Sequence, residues 1–207
     1  AETSLSAADD SEKRIIVSTD SPEIAAKAGE EGVEVPFLRP AELSTDTAGS
    51  REVILHAMDY ADSQGIAYDC VVLLQPTSPF RTGRHITEAL ALFNPETTDM
   101  VVSVCKASAN PYYNCFESDP ASGYLHISKG DGLLTRRQDA PDAWEYNGAV
   151  YVINPESIRK MPLGAFPRRI PYEMSREDSL DIDTPLDLTI ARAVMEARLK
   201  EATSQGN

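Results

Sequence analysis

The sequence predicts an α/β fold built on an open, mostly parallel sheet with helices on both faces, a three-layer arrangement. Three observations predict it. Apolar runs of strand length alternate with stretches whose apolar residues recur at helical spacing. The runs at residues 69–74 and 100–104 are almost unbroken, as suits strands covered on both sides. These runs then stop abruptly at polar or Pro-containing segments, which is where ligands bind in open α/β sheets.

The elements follow in order. Residues 1–8 read as the tail of a helix, and residues 14–18 as a short apolar strand ending at Thr19, Asp20 and Ser21. Ser21 followed by Pro22 and Glu23 predicts a helix start, with a capping residue and then Pro at the first helical position. That helix carries Ile24, Ala25 and Ala28 on one face and ends near Gly29 or Gly32. Residues 33–35 begin another extended piece. After a loop over residues 37–49, Ser50 is expected to cap a helix bearing Val53, Ile54, Ala57, Met58 and Ala61. The strand at 69–74 ends in Gln75-Pro76-Thr77-Ser78-Pro79-Phe80-Arg81, and the next helix points Ile86, Ala89, Leu90 and Phe93 inward. Residues 100–104 form a further strand.

Residues 106–146 break this rhythm. They are polar, rich in Pro, Gly, Tyr and Asp, and carry turn signals such as Asp119-Pro120 and Gly130-Asp131-Gly132. A loop of this length without structure is foreign to a compact domain, so a small excursion containing hairpins is expected. Residues 148–153 return to a strand, a helix is expected near 155–160, and a strand at 169–174. Thr184 then caps a last helix with Pro185 at its first position and Leu186, Leu188, Ile190, Ala193, Val194 and Ala197 facing inward.

Composition bounds the function. A chain of 207 residues supports one sizeable core, read as a single domain over 1–207. A formal charge of −14 repels nucleic-acid phosphates and anionic membranes, so neither is an expected partner. No apolar run is long enough to cross a bilayer. Residues 1–10 lack a basic region followed by an apolar stretch, so no signal peptide is expected. Cys70, Cys105 and Cys115 are scattered without metal-ligand spacing, which points to a reducing cytoplasm.

The sharpest candidate for chemistry is Asp181-Ile182-Asp183. In an extended segment, side chains two apart point to the same side, and two carboxylates there repel unless a cation joins them. Oxygen ligands suit Mg²⁺, particularly when phosphates complete its shell. The alternative is that Asp183 helps cap the final helix while Asp181 is solvated, and Asp187 fits either account. The turn at 75–81 offers Gln75, Thr77, Ser78 and the planar cation of Arg81 at a strand end. It reads equally as a rigid turn whose Ser or Thr caps the next helix. Arg39, in Leu38-Arg39-Pro40, suits hydrogen bonding to a base edge, with Ala48 and Ser50 near it in the chain, or it is simply solvated. Arg136 and Arg137 could grip a carboxylate or form an exposed pair. His56, His85 and His126 read as structural or exposed.

The ordered set IVSTDS, FLRPAELSTDTAGS, VVLLQPTSPFRT, VVSVC, RRQDAP, YNGAVYV and SLDIDTPLD resembles the acylneuraminate cytidylyltransferase family, or CMP-sialic acid synthetases. The resemblance runs from about Arg14 to the last helix and implies a nucleotide-diphospho-sugar transferase-like fold. It implies an enzyme that joins CMP from CTP to an acidic nine-carbon sugar, a nonulosonic acid, with release of pyrophosphate. It carries the family's Mg²⁺ ligands onto Asp181 and Asp183, the cytosine contact onto Arg39, and the nucleotide pocket onto Ala48 and Ser50. The sugar contacts fall on Gln75, Asn147 and Tyr151, and Arg137 matches an Arg that contacts the sugar carboxylate or a phosphate. It also implies a homodimer, with residues 106–146 reaching into the neighbour. Family members begin with a strand and a basic Gly-Ser-Lys loop around the CTP phosphates, and the sequence starts inside the helix that follows. The expectation is that the natural protein carries that segment; without it, weak or no transfer is expected. Where some members carry a second Arg shortly before the NGA segment, Glu145 stands here, which favours an acceptor of the legionaminic or pseudaminic kind. The alternatives are a cytidylyltransferase for an eight-carbon sugar acid of the CMP-Kdo type, against which the QPTSPFR form argues, and an inactive module that binds CMP-sugars or only dimerises.

Overall fold

A computed structural model describes residues 15–45 and 49–205. The chain divides into two compact units. One comprises the chain up to Leu73 with Thr82–Val101 and Tyr151–Ile170; the other comprises Leu74–Arg81, Val102–Val150 and the chain from Pro171 onward.

The principal sheet has the order β1-β5-β2-β6, with β1 at Val71–Leu73, β5 at Trp144–Ile153, β2 at Met100–Lys106 and β6 at Arg169–Glu173. β1 and β5 are antiparallel in the register Val71 opposite Ile153. The Asn154 N–H donates to the Asp99 carbonyl and the Ala107 N–H to the Ala143 carbonyl, both at 2.9 Å, so β5 is antiparallel to β2 as well. β2 and β6 are parallel: the Asp99 N–H reaches the Arg168 carbonyl at 3.0 Å and the Met174 N–H reaches the Val104 carbonyl at 2.8 Å. Three strands thus share one direction and β5 opposes them, which is the mostly parallel α/β sheet expected. β2 is the most deeply covered strand, with every residue buried except Lys106.

In the first unit, α1 (Pro22–Glu30) starts where Ser21 and Pro22 predict, with the Ile24 N–H donating to Ser21 Oγ at 3.3 Å. No residue of α1 is buried. The strand expected at 14–18 does not form as a ladder. Arg14 lies outside the described residues, and the segment's only pairing among them is a single parallel bridge from Thr19 to Leu38. An apolar segment alone does not make a strand; it needs neighbours to satisfy its backbone groups. α2 (Ser50–Ser63) buries Ile54, Met58 and Ala61, but its cap is Gly49, not Ser50. Ser50 is already the first helical residue, and the Glu52 carboxylate folds back over the helix start so closely that a Cβ at Gly49 would meet Glu52 Oε2 at 2.6 Å. His56 packs edge-on against Phe37 at 4.6 Å, and His85 Nδ1 accepts the Thr82 N–H at 3.2 Å at the start of α3 (Gly83–Ala91). Both histidines are therefore structural, as expected.

α4 (Pro155–Lys160) is capped by Asn154, which accepts from the Glu156 and Ser157 N–H groups and donates to the Pro95 and Thr98 carbonyls. Beside it, buried Asp99 accepts from Arg168 at 2.7 Å and from Ser157 Oγ at 2.7 Å. The Arg168 hydrogen bonds, outweighing burial and aided by Ser157, hold the Asp99 carboxyl down at about 2.

In the second unit, the excursion forms the expected hairpin from β3 (Phe116–Ser118) and β4 (Leu125–Ile127), in the register Phe116 opposite Ile127. Tyr124, Leu125 and Leu133 stand exposed on it at 70% or more of their surface. α5 (Pro185–Gln205) begins at Pro185 as predicted, but its packed face differs from the expected one. Ala191 is buried and Asp187, Val194 and Arg198 are half-buried, whereas Leu186, Leu188 and Ile190 are exposed. The cause is tertiary. Arg198 lies 4.6 Å over the Phe80 ring and pairs with Asp178 at 2.9 Å, which turns the 187-191-194-198 face inward.

Candidate active site

The turn that follows β1 is the structural centre of the second unit's site. Ser78 is buried and donates from Oγ to the Asn147 carbonyl at 3.3 Å. Arg81 Nη1 donates to the Gln75 carbonyl at 2.9 Å and the Ala149 carbonyl at 2.8 Å. Burial pushes the Arg81 guanidinium below its ordinary pKa. Its role is thus to brace the turn against β5. Gln75 lies directly over Gly148: a Cβ there would overlap Gln75 Oε1 and lie 3.3 Å from Ser78 Oγ. Gly148 also has φ +72°, so glycine is required twice over.

Asn147 is the hub beneath this turn. Its Oδ1 accepts from Ser103 Oγ at 2.6 Å and from the Ala149 N–H at 3.2 Å. Its Nδ2 donates to Ser179 Oγ at 2.8 Å and to Met174 Sδ at 3.4 Å. Ser103 Oγ in turn accepts the Val150 N–H at 2.7 Å. Neither Ser103 nor Ser179 was singled out from the sequence. Ser103 left a faint signal as the one polar residue inside an apolar strand; Ser179 left none beyond standing two residues before Asp181.

The acidic segment is anchored to the same turn. The Ile182 N–H donates to the Thr77 carbonyl at 3.0 Å. On either side of Ile182, Asp181 is half-buried and Asp183 exposed. Asp181 Oδ1 is buried without a hydrogen-bond partner among the described residues. A carboxylate oxygen out of water and unpaired is costly, and a cation is the natural remedy. Asp187 takes the capping account: its Oδ2 accepts from Thr184 Oγ1 at 2.7 Å and from the Thr184 and Asp183 N–H groups. Those hydrogen bonds, the Thr184 hydroxyl first, hold its carboxyl below the usual range. With Asp187 so engaged, Asp181 and Asp183 are left as the acidic pair. Among the described residues no group of three or more His, Cys, Asp or Glu side chains could hold a metal. A two-carboxylate set fits Mg²⁺, which retains several waters and completes its shell with substrate phosphates.

Two further residues lie in this unit. Arg137 is exposed at the start of a 3₁₀ turn over Arg137–Asp139 and donates to the Ser108 carbonyl. Arg136 pairs instead with Asp139 at 2.7 Å. Glu145 is half-buried, and its Oε1 accepts from Cys105 Sγ at 3.5 Å; burial pushes the Cys105 thiol up.

The first unit holds the Arg39 cluster. The Arg39 N–H donates to the Thr19 carbonyl at 2.7 Å, its Nε to Ser44 Oγ at 3.0 Å and its Nη2 to Asp20 Oδ1 at 3.2 Å. Its side chain is 22% exposed, so Arg39 is a held cation, not a solvated one. Ser50 is exposed at the first position of α2, Ala48 lies outside the described residues, and Tyr151 sits on β5 opposite Leu73.

No family model matches the chain. Curated relatives do. A CMP-N,N'-diacetyllegionaminic acid synthase of Legionella pneumophila is 31% identical over 185 residues, covering 89% of this chain and 78% of the relative. N-acylneuraminate cytidylyltransferases of Streptococcus agalactiae serotype V and of Escherichia coli are 35% and 34% identical, over 83% and 91% of this chain. The chain spans about two fifths of their length, 40% and 43%. Among solved structures, a 4-diphosphocytidyl-2C-methyl-D-erythritol synthase matches 88% of this chain and 81% of its own at 12% identity and a TM-score of 0.47, a likeness too slight to bear on function. No helix among the described residues is long and apolar enough to cross a membrane. The Legionella relative, matched along most of both chains, settles the kinship: the chain belongs to the acylneuraminate cytidylyltransferase family.

Proposed function

We propose that the protein transfers CMP from CTP to a nonulosonic acid. The observation that carries the reading is Asp181 Oδ1, buried and unpartnered in a segment fastened to the turn after β1. In the proposed reaction the anomeric hydroxyl of the sugar attacks the α-phosphorus of CTP. A new P–O bond forms, the bond to the β-phosphate oxygen breaks, pyrophosphate leaves and the hydroxyl proton passes to solvent.

Asp181 and Asp183 are the residues to hold a divalent cation, Mg²⁺ by the chemistry of their oxygens. Bound there, such an ion supplies neutralisation of phosphate charge and a lower pKa for the attacking hydroxyl. Arg39, kept in place by Asp20 and Ser44, is assigned to the cytosine edge, with Ala48 and Ser50 completing the nucleotide contacts. Gln75, Arg137 and Tyr151 are assigned to the sugar side, with Asn147 holding the turn behind them. Their contribution is orientation, which brings attack close to in line. A second copy of the chain is the proposed partner. The exposed Phe116, Tyr124, Leu125 and Leu133 of the excursion support that, since apolar residues gathered on a surface mark an interface. For the acceptor, Glu145 supports a legionaminic- or pseudaminic-type acid over ordinary sialic acid, because a carboxylate there is unsuited to gripping an anion.

Calorimetry with CTP and Mg²⁺, followed by a pyrophosphate-release assay across several nonulosonic acids, tests this. CTP binding with sugar-dependent release of pyrophosphate is the expected result. Binding without release for every acid would leave a CMP-sugar-binding module in place of an enzyme.

A further inference from the structure

Asn147 and Ser179 are separated by 32 residues, yet they close a circuit around the acidic segment. Asn147 Nδ2 donates to Ser179 Oγ at 2.8 Å. From Ser179 the chain runs three residues to Ile182, whose N–H is bound to the Thr77 carbonyl at 3.0 Å. Thr77 precedes Ser78, and Ser78 Oγ returns to the Asn147 carbonyl at 3.3 Å. Asp181 lies inside this closed path, held from both sides.

The circuit is built to resist movement. Ser179 Oγ also donates to the Ser175 carbonyl at 2.6 Å, so its hydroxyl is oriented as an acceptor toward Asn147. Asn147 is 4% exposed, and its amide has a partner for each of its two donors and for both lone pairs of its oxygen. A side chain so fully engaged inside the fold has no capacity left for a ligand. It has, however, the geometry to fix the backbone that carries Asp181.

We infer that Asn147, acting through Ser179, is a positioning residue that sets the Asp181 carboxylate for a divalent cation, and does not itself contact the sugar. This deepens the proposed function and rests on the metal role assigned there to Asp181 and Asp183. Partners that orient metal ligands from behind change metal affinity when removed, commonly by about 10- to 100-fold.

The test uses the full-length protein and two readouts. The first is Mn²⁺ affinity in the presence of CTP, from electron paramagnetic resonance of free Mn²⁺. The second is the split of the pyrophosphate-release kinetics into the half-saturating Mg²⁺ concentration and the KM for the sugar. Ser179→Ala is expected to weaken Mn²⁺ about 10-fold and to raise the Mg²⁺ requirement in proportion, with the sugar KM at saturating metal unchanged. Ser179→Thr, which keeps the hydroxyl, is expected to restore metal affinity. Should Ser179→Ala fail to fold, Ser179→Thr against the isosteric Ser179→Val gives the same comparison. Unchanged Mn²⁺ affinity in the hydroxyl-less variants, or a raised sugar KM as their main effect, overturns the positioning role. A wild-type protein that binds Mn²⁺ without releasing pyrophosphate would defeat the transferase reading alone, whereas one that binds no Mn²⁺ defeats the metal role and this inference with it.

Discussion

The Ile182 N–H donates to the Thr77 carbonyl at 3.0 Å, which fastens the segment carrying Asp181 and Asp183 to the turn that follows β1. A single backbone hydrogen bond of this kind contributes about 1 kcal/mol to stability. Its larger consequence is geometric, since two sequence segments singled out separately for chemistry become one object.

Asp183→Ala is expected to abolish pyrophosphate release while leaving the fold intact. Asp183 is exposed, and it donates to the Asp187 carboxylate through its backbone N–H, which Ala retains. A change in stability within about 0.5 kcal/mol is expected for such a surface site. Thermal unfolding read beside the pyrophosphate assay checks both halves. Near-native turnover would remove Asp183 from the metal site.

Gly148→Ala should injure both stability and sugar use. The left-handed backbone at φ +72° costs an alanine about 1–2 kcal/mol. The new Cβ also overlaps Gln75 Oε1 and must push that side chain aside. A raised KM for the sugar with little change in the KM for CTP is the expected signature. An unchanged sugar KM in a folded variant would take Gln75 out of the sugar site.

Arg39→Lys is expected to weaken CTP binding about 10-fold or more, because a lysine cannot reproduce the planar fork that donates to Ser44 and Asp20 while facing a base. Titration calorimetry with CTP measures it. Binding at wild-type strength would return Arg39 to a structural role.

Acid stability provides a separate check on the first unit. The Asp99 carboxyl sits at about 2, below its unfolded value of 3.8, so its contribution is fully present above pH 4 and is lost as pH falls toward 2. The linkage is worth about 2 kcal/mol. In Asp99→Asn, unfolding at neutral pH should therefore need less denaturant, and the decline in stability between pH 4 and 2 should be shallower than in the wild type. Parallel pH profiles for the two proteins would show that the Arg168 pair does not supply this stability.

Much of this fold is legible from local signals. Ser21-Pro22, Asn154-Pro155 and Thr184-Pro185 each place a helix start, because capping chemistry is written in neighbouring residues. β2 is equally plain, being buried on both faces. Features that depend on distant partners are not legible. The apolar Leu186 and Ile190 suggest one inward face for α5, but Arg198 on Phe80 and Asp178 selects another. Residues 14–18 have a strand's composition, yet pairing is a property of neighbours. For the site, the acid pair and the turn were readable as motifs, whereas the Asn147–Ser179 bond joins residues whose types say nothing about each other. Asp187 shows the reverse case, an acid that could have served either account and is occupied by Thr184.

The most direct measurement is anomalous diffraction at the manganese edge from crystals of the full-length protein grown with CTP and Mn²⁺. The account predicts a peak within direct coordination distance of an oxygen of Asp181 and of Asp183, with triphosphate oxygens completing the shell. A manganese ion bound to the triphosphate with both carboxylates turned away would contradict it.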